Sequence, residues 1–242
     1  MYIRPAHAEL DVPTLQQFVR SYPLGMFTTA IKHPSIATLQ TTHIPFVIDT
    51  PDDGTPGVLR AHMARANPQA KVLIEAAKEN PVMEDEVLVL FNAPVHSYVT
   101  PKFYTETKPQ NGKVVPTWDY AAVQVYGKLR VYSTGDETTA FLGKQVNDLT
   151  DQNERAAGHV ENPWKVSDAP TKYTDLLKKA IVGLEITIDR IEGRFKLSQE
   201  LSDGDYSGVV NGFRGLGTPE GEQMAQMVQK RGEARNIKLA ED

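Results

Sequence analysis

Residues 59–69, LRAHMARANPQ, change their periodicity halfway along, and that change limits what the chain can build. Leu59, Ala61 and Met63 alternate with Arg60 and His62, the period-two pattern of a half-buried strand. Asn67 is then a favoured N-cap and Pro68 a favoured first helical residue, so residues 69–78 are predicted to be a helix. A strand that runs straight into a helix turns the free amides of the helix start towards Arg65, and a cation there suits a phosphate. An ordinary surface ion pair explains the same arginine without any ligand.

The other elements follow from similar signals. Asp11 before Val12-Pro13, with Leu15, Phe18, Val19 and Tyr22 at helical spacing, predicts one amphipathic helix ended by Pro23. Residues 24–29 and 36–49 read as strands, and the turn-rich residues 52–57 predict an antiparallel hairpin between the strands through Val47 and Leu59. Residues 86–92, 95–100 and 118–131 read as further strands, with 101–116 as a long polar excursion. A helix is predicted over 136–149, another from Pro170 to Ile181, and a last one from Pro219 to about Arg231. Residues 183–190 and 193–199 read as two strands joined by a reversal near 191–193. Six or seven strands with short helices between them fit a β-barrel with helical decorations better than βαβ units.

Composition removes several function classes. The 242 residues contain no cysteine, which excludes disulfides, thiolate metal sites and cysteine nucleophiles, so any redox chemistry must come from a bound cofactor. No apolar run reaches the ~18 residues of a membrane span, and MYIRPAHAEL lacks the pattern of a secretory signal, so the expected setting is cytoplasmic with no membrane partner. A net charge of −5 disfavours broad nucleic-acid binding, and there is no helix–turn–helix pair or basic recognition helix. Direct DNA binding is therefore unsupported by charge or motif. No nucleophile elbow and no metal-spaced His/Glu cluster is present, which leaves metal ligands and catalytic residues unassigned.

Three constellations could carry chemistry. Thr41, Thr42 and His43 offer donors and acceptors beside an apolar Ile44-Pro45-Phe46, the mix a flavin ring needs, although strand threonines commonly serve packing alone. Thr117 and Trp118 could lie over a planar ligand, or Trp118 could anchor a core. In 193–202, Lys196, Ser198 and Gln199 could form a polar pocket wall with a cation near a reduced flavin, or the solvated face of an edge strand.

TTHIPF, LRAHMARANPQ, YVTPKFY, KVVPTWDYAAVQVYG and EGRFKLSQELSDGDYSGVVNG occur in that order with spacing that resembles the PaiB-type family of FMN-binding split-barrel proteins and negative transcriptional regulators. The resemblance runs from the first residues to about Gly212. It implies a mainly β fold with peripheral helices, a six-stranded, Greek-key-like split barrel over residues 1–212, and a helical extension over 213–242 packed on the same domain. It also implies a homodimer with FMN at the subunit interface. Arg65 and Asn67 with His62 would serve the phosphate end, Thr41, Thr42 and His43 the cofactor's flank, and Met63 would be a further cofactor-binding residue. Trp118 with adjacent Thr117, and Lys196, Ser198 and Gln199, would complete the pocket from the partner subunit. The chain departs from the family pattern at Asp119, Gln124 and Glu200, each of which removes an amide or imidazole or adds negative charge near the expected pocket.

The function expected from this resemblance is FMN binding in a flavin-dependent oxidoreductase or a redox-linked regulator. The alternatives are a transcriptional regulator acting by DNA or protein binding, and a haem-binding split barrel with His43, His62 or His96 as axial ligand.

Overall fold

The computed structural model describes residues 2–52 and 54–239, with side chains through Glu233. Asp53 of the predicted hairpin turn and the last three residues of the expected C-terminal extension lie outside the described residues. Nine strands and seven α-helices are found among those described. In chain order they are β1 (Ala8–Glu9), α1 (Val12–Ser21), β2 (Leu24–Ala30), β3 (Leu39–Pro45), β4 (Val47–Asp49), β5 (Val58–Ala64), α2 (Pro68–Ala76), β6 (Val82–Asn92) and β7 (Ser97–Val99). Then follow α3 (Thr107–Asn111), β8 (Thr117–Tyr132), α4 (Asp136–Ala156), α5 (Thr171–Lys179), β9 (Ile181–Lys196), α6 (Asp203–Arg214) and α7 (Pro219–Leu239). The strand path is β3-β2-β6-β8-β9-β5-β4, with β1 added to β9 and β7 to β8. The expected class, mainly β with peripheral helices, is observed. The sheet has nine strands where six were expected, and its path ends at β3 and β4.

The chain divides into two compact units. The sheet unit comprises Asp11–Phe91 and Gln124–Ile191. Its core holds Leu15, Phe27, Phe46, Leu59, Leu73, Phe91, Leu129 and Leu184, all at 1% exposure or less. The predicted hairpin is present, with Val47 opposite Arg60 and Asp49 opposite Val58. The strand predicted over 36–49 is instead two. Pro45 ends β3, the Phe46 amide turns away to donate to Pro23 O at 2.9 Å, and β4 then pairs with β5 rather than β2.

Buried Arg60 fastens α4 to the β4–β5 hairpin. Its Nε and Nη2 donate to both Asp49 oxygens at 2.5 and 2.8 Å, Nη2 also reaches Asp148 at 2.7 Å, and Nη1 donates to Gln145 Oε1 at 3.1 Å. A guanidinium is suited to this task because its fork of donors matches carboxylate geometry.

The terminal unit comprises Met1–Leu10, Asn92–Val123 and Glu192–Asp242. Val99, Val209, Phe213, Met224, Ala225 and Val228 form its fully buried centre, which joins α7 to α6. Helix α6 has no counterpart in the sequence reading, because Gly204, Gly208 and Gly212 argue against a helix. They recur every four residues on one face, where Gly208 lies against Phe103 O and Gly212 against the Phe103 ring. A Cβ at Gly208 would overlap that carbonyl, so the residues that weaken the helix locally are those its packing requires.

Strand β9 is also a correction: residues 181–196 are continuous, with no reversal near 191–193. Buried positions run through Leu184, Ile186 and Ile188, skip the consecutive exposed pair Asp189 and Arg190, and resume at Ile191 and Gly193. That one-residue phase change, in an extended strand, is what resembled a turn.

Candidate functional site

In the sheet unit, β5 and the start of α2 form as the sequence predicts. Asn67 caps α2 by accepting from the Gln69 amide at 2.9 Å, and its Nδ2 donates to Thr42 Oγ1 at 3.1 Å. Thr42 and Asn67 are thus brought together. The alternation along β3 turns Thr41 and His43 to the other, exposed side, where Thr41 Oγ1 lies 2.9 Å from Thr28 Oγ1 across the ladder. Met63 is buried in the core. His62, opposite Gly183 in the register, is partly buried; burial pushes its pKa below the ordinary imidazole value, and its buried Nδ1 has no hydrogen-bond partner among the described residues.

Arg65 does not join Asn67. Its Nε donates to Lys179 O at 3.0 Å and its Nη2 to Ser133 O, which places the guanidinium at the wall of a cavity of about 430 Å³ reached by the start of α4 and by α5.

In the terminal unit, four of the five predicted residues converge. Lys196 Nζ donates to Thr117 Oγ1 at 2.7 Å and to Trp118 O at 3.0 Å. Trp118 is 47% exposed and presents its indole at the surface, steadied by Nε1–H donation to His96 Nδ1 at 3.1 Å and by the ring of Tyr98. His96 precedes β7 and is not on a strand as expected. Ser198 Oγ donates to Asp119 Oδ2 at 2.7 Å, with Ser198 held at φ 59°. Gln199 turns inward, accepting from the Leu197 amide and donating to Ala6 O and Phe195 O, so it holds the chain after β9 rather than facing a ligand.

Asp119, Glu200 and His7 were not among the expected site residues, yet they set the charge of this cluster. Asp119 is fully buried; burial raises its pKa to about 6 against the opposing pull of the Ser198 hydroxyl and the Lys196 ammonium, 3.5 Å from Oδ1. Oδ1 itself has no hydrogen bond among the described residues. Burial also opposes ionisation of Glu200, but His7 holds that carboxyl below its ordinary range: Nε2 of the fully buried ring is 2.9 Å from Oε1, off the line of a hydrogen bond. The departures at Asp119 and Glu200 therefore come with their own counter-groups. Gln124, the third departure, accepts from the Tyr126 hydroxyl at 2.9 Å in the sheet unit.

A model of the family described as "Putative FMN-binding domain" matches residues 1–190. An uncharacterized protein of Emericella nidulans, AN0679, is 55% identical over 251 residues, covering 98% of this chain and all of its own length. Protease synthase and sporulation protein PAI 2 of Bacillus subtilis is 28% identical over 229 residues, covering 95% of this chain and 97% of its own. The solved structure of the flavocytochrome Anf3 from Azotobacter vinelandii shares the fold, with a TM-score of 0.50 and 11% identity over 85% of this chain and 78% of that one. No described helix is long and apolar enough to cross a membrane.

Proposed function

This chain belongs to the "Putative FMN-binding domain" family, and from that premise we propose that it holds FMN as a PaiB-like homodimer and uses it in redox chemistry or redox-linked regulation. The observation that carries the reading is the Trp118 surface: a half-exposed indole, fixed by His96, with the Lys196 ammonium tied to the Trp118 carbonyl and the Thr117 hydroxyl. A flat apolar face beside a largely buried cation, 13% exposed, is the donor set that a planar ring with an electron-rich polar edge calls for.

A bound flavin would supply the electron transfer that the cysteine-free chain lacks. The chain's own residues bind and orient it. Trp118 would stack on the ring, Lys196 would bring positive charge to it, and Asp119 and Ser198 would hold Lys196 and the end of β9 in place. Thr42 and Asn67 of the other subunit would line its flank. The orphaned Nδ1 of His62 is a polar atom that a ligand or its bound water would satisfy.

The resemblance to the PaiB-type negative transcriptional regulators, together with the likeness to protease synthase and sporulation protein PAI 2, supports the regulatory half of the reading. With a net charge of −5, such a regulator would work through a protein partner rather than through DNA.

Titration of FMN with the purified protein, followed by flavin fluorescence, tests the proposal. Saturable quenching that weakens about tenfold or more in Trp118→Ala and in Lys196→Met is expected. Quenching that is absent in the wild type, or unchanged from wild type in both variants, rejects the pocket. Light scattering on the same sample gives the mass of two chains if the dimer is correct and of one if it is not.

A further inference from the structure

We propose that the cavity walled by Arg65, Lys178 and Lys179 is a phosphomonoester site. The chain carries a net charge of −5, yet among the described residues three basic ones, Arg65, Lys178 and Lys179, line this one space of about 430 Å³, against a single acidic lining residue, Asp175. A cavity of that size lies within the range that holds small ligands.

The Arg65 guanidinium is held in a fixed plane by Lys179 O and Ser133 O, which engage only part of its five N–H donors. A guanidinium fixed in this way with donors to spare is suited to two oxygens of one phosphate. Lys178 is mostly covered, with 29% of its side chain exposed, and its carboxylate neighbour Asp175 lies at 3.7 Å, too long for a hydrogen bond. A covered ammonium with so weak a partner gains from a dianion. Ser133, Thr134 and Gly135 complete the near wall, and a Cβ added at Gly135 would meet no described residue within 4 Å. Asn67, expected to share the phosphate with Arg65, is committed instead to the Gln69 amide and Thr42, so the cations mark a place of their own.

Two sources could supply this chemistry: the phosphate of the flavin, which rests on the reading above, or a separate phosphorylated metabolite. The probes are inorganic phosphate, FMN and riboflavin, applied to the full chain and to Lys178→Met/Lys179→Met, with chloride at matched ionic strength as control. Phosphate is expected to raise the melting temperature of the wild type above the chloride control, and the double variant is expected to lose that rise. If the flavin's phosphate is the occupant, saturating FMN abolishes the rise, and the double variant weakens FMN about tenfold or more while leaving riboflavin unchanged. If a separate metabolite is the occupant, the phosphate rise persists with FMN bound and FMN affinity is unchanged in the variant. A lysine-dependent phosphate rise in protein that binds no flavin removes the FMN reading and leaves this site standing. A wild type that responds to phosphate no more than to chloride, or a double variant that responds as the wild type does, overturns the proposal.

Discussion

Ser198 donates its hydroxyl to Asp119 across 2.7 Å, and both side chains are sealed from solvent. Ser198 makes this bond from φ 59°, a left-handed conformation that favours glycine. Removing the hydroxyl leaves a buried carboxylate oxygen short of a donor, at a cost of about 1–3 kcal/mol. Ser198→Ala keeps the backbone strain, whereas Ser198→Gly releases about 1 kcal/mol of it. In urea unfolding the glycine variant is therefore expected to be the more stable of the two. Equal losses would mean that the backbone at 198 carries no strain.

Asp119 gives the protein a pH signature. Its pKa rises from 3.8 to about 6 chiefly through burial, so between about pH 4 and 6 the unfolded chain releases a proton that the folded chain keeps. Stability from this group is full below about pH 4 and falls as pH rises through 6, by an amount on the order of 2–3 kcal/mol. Glu200 and His62 have the opposite sign. The lowered carboxyl of Glu200 loses stability as pH falls below its ordinary range, and the lowered imidazole of His62 loses it as pH falls below 6.5. Asp119→Asn isolates the first effect. The melting temperature of the variant minus that of the wild type should increase from pH 4 to pH 7, and a constant difference would contradict the raised pKa.

Gly208 and Gly143 provide a matched pair in two helices. A Cβ at Gly208 would collide with Phe103 O, while one at Gly143 on α4 would meet no described residue within 4 Å. Gly208→Ala is expected to destabilise by about 1–3 kcal/mol and Gly143→Ala to stabilise by about 0.5–1 kcal/mol. Chemical denaturation of the two variants checks both signs.

Arg60→Met should cost about 1.5–3 kcal/mol, since it strips charged hydrogen bonds from Asp49 and Asp148 and leaves buried Gln145 without its donor. Because the change lies on the α4 to β5 contact, amide exchange should accelerate first in α4. Uniform acceleration would show that the contact is not a local fastening.

Local chemistry made part of this molecule readable from its sequence. The caps Asp11 and Asn67 each bond an amide two or three residues on, so α1 and α2 were specified by adjacent residues. The hairpin of β4 and β5 was equally local. Helix α6 was not, because its glycines make sense only with Phe103 against them. The phase change at Asp189 and Arg190 was hidden for a similar reason, since burial on the two sides of the pair is decided by strands far away in sequence. At the site, Thr117, Trp118, Lys196 and Ser198 were legible as polar and aromatic residues at strand spacing. His7, which joins Glu200 across most of the chain length, carries no local signal, and the short spacing that groups Arg65 with Asn67 in the sequence does not reveal that the Arg65 side chain turns to Lys179 and Ser133.

The visible spectrum of protein reconstituted with FMN and freed of excess cofactor tests the central claim most directly. A retained flavin band near one equivalent per chain, lost together with the Trp118 surface in Trp118→Ala, is the expected result. Protein that emerges colourless after reconstitution at high FMN would contradict it.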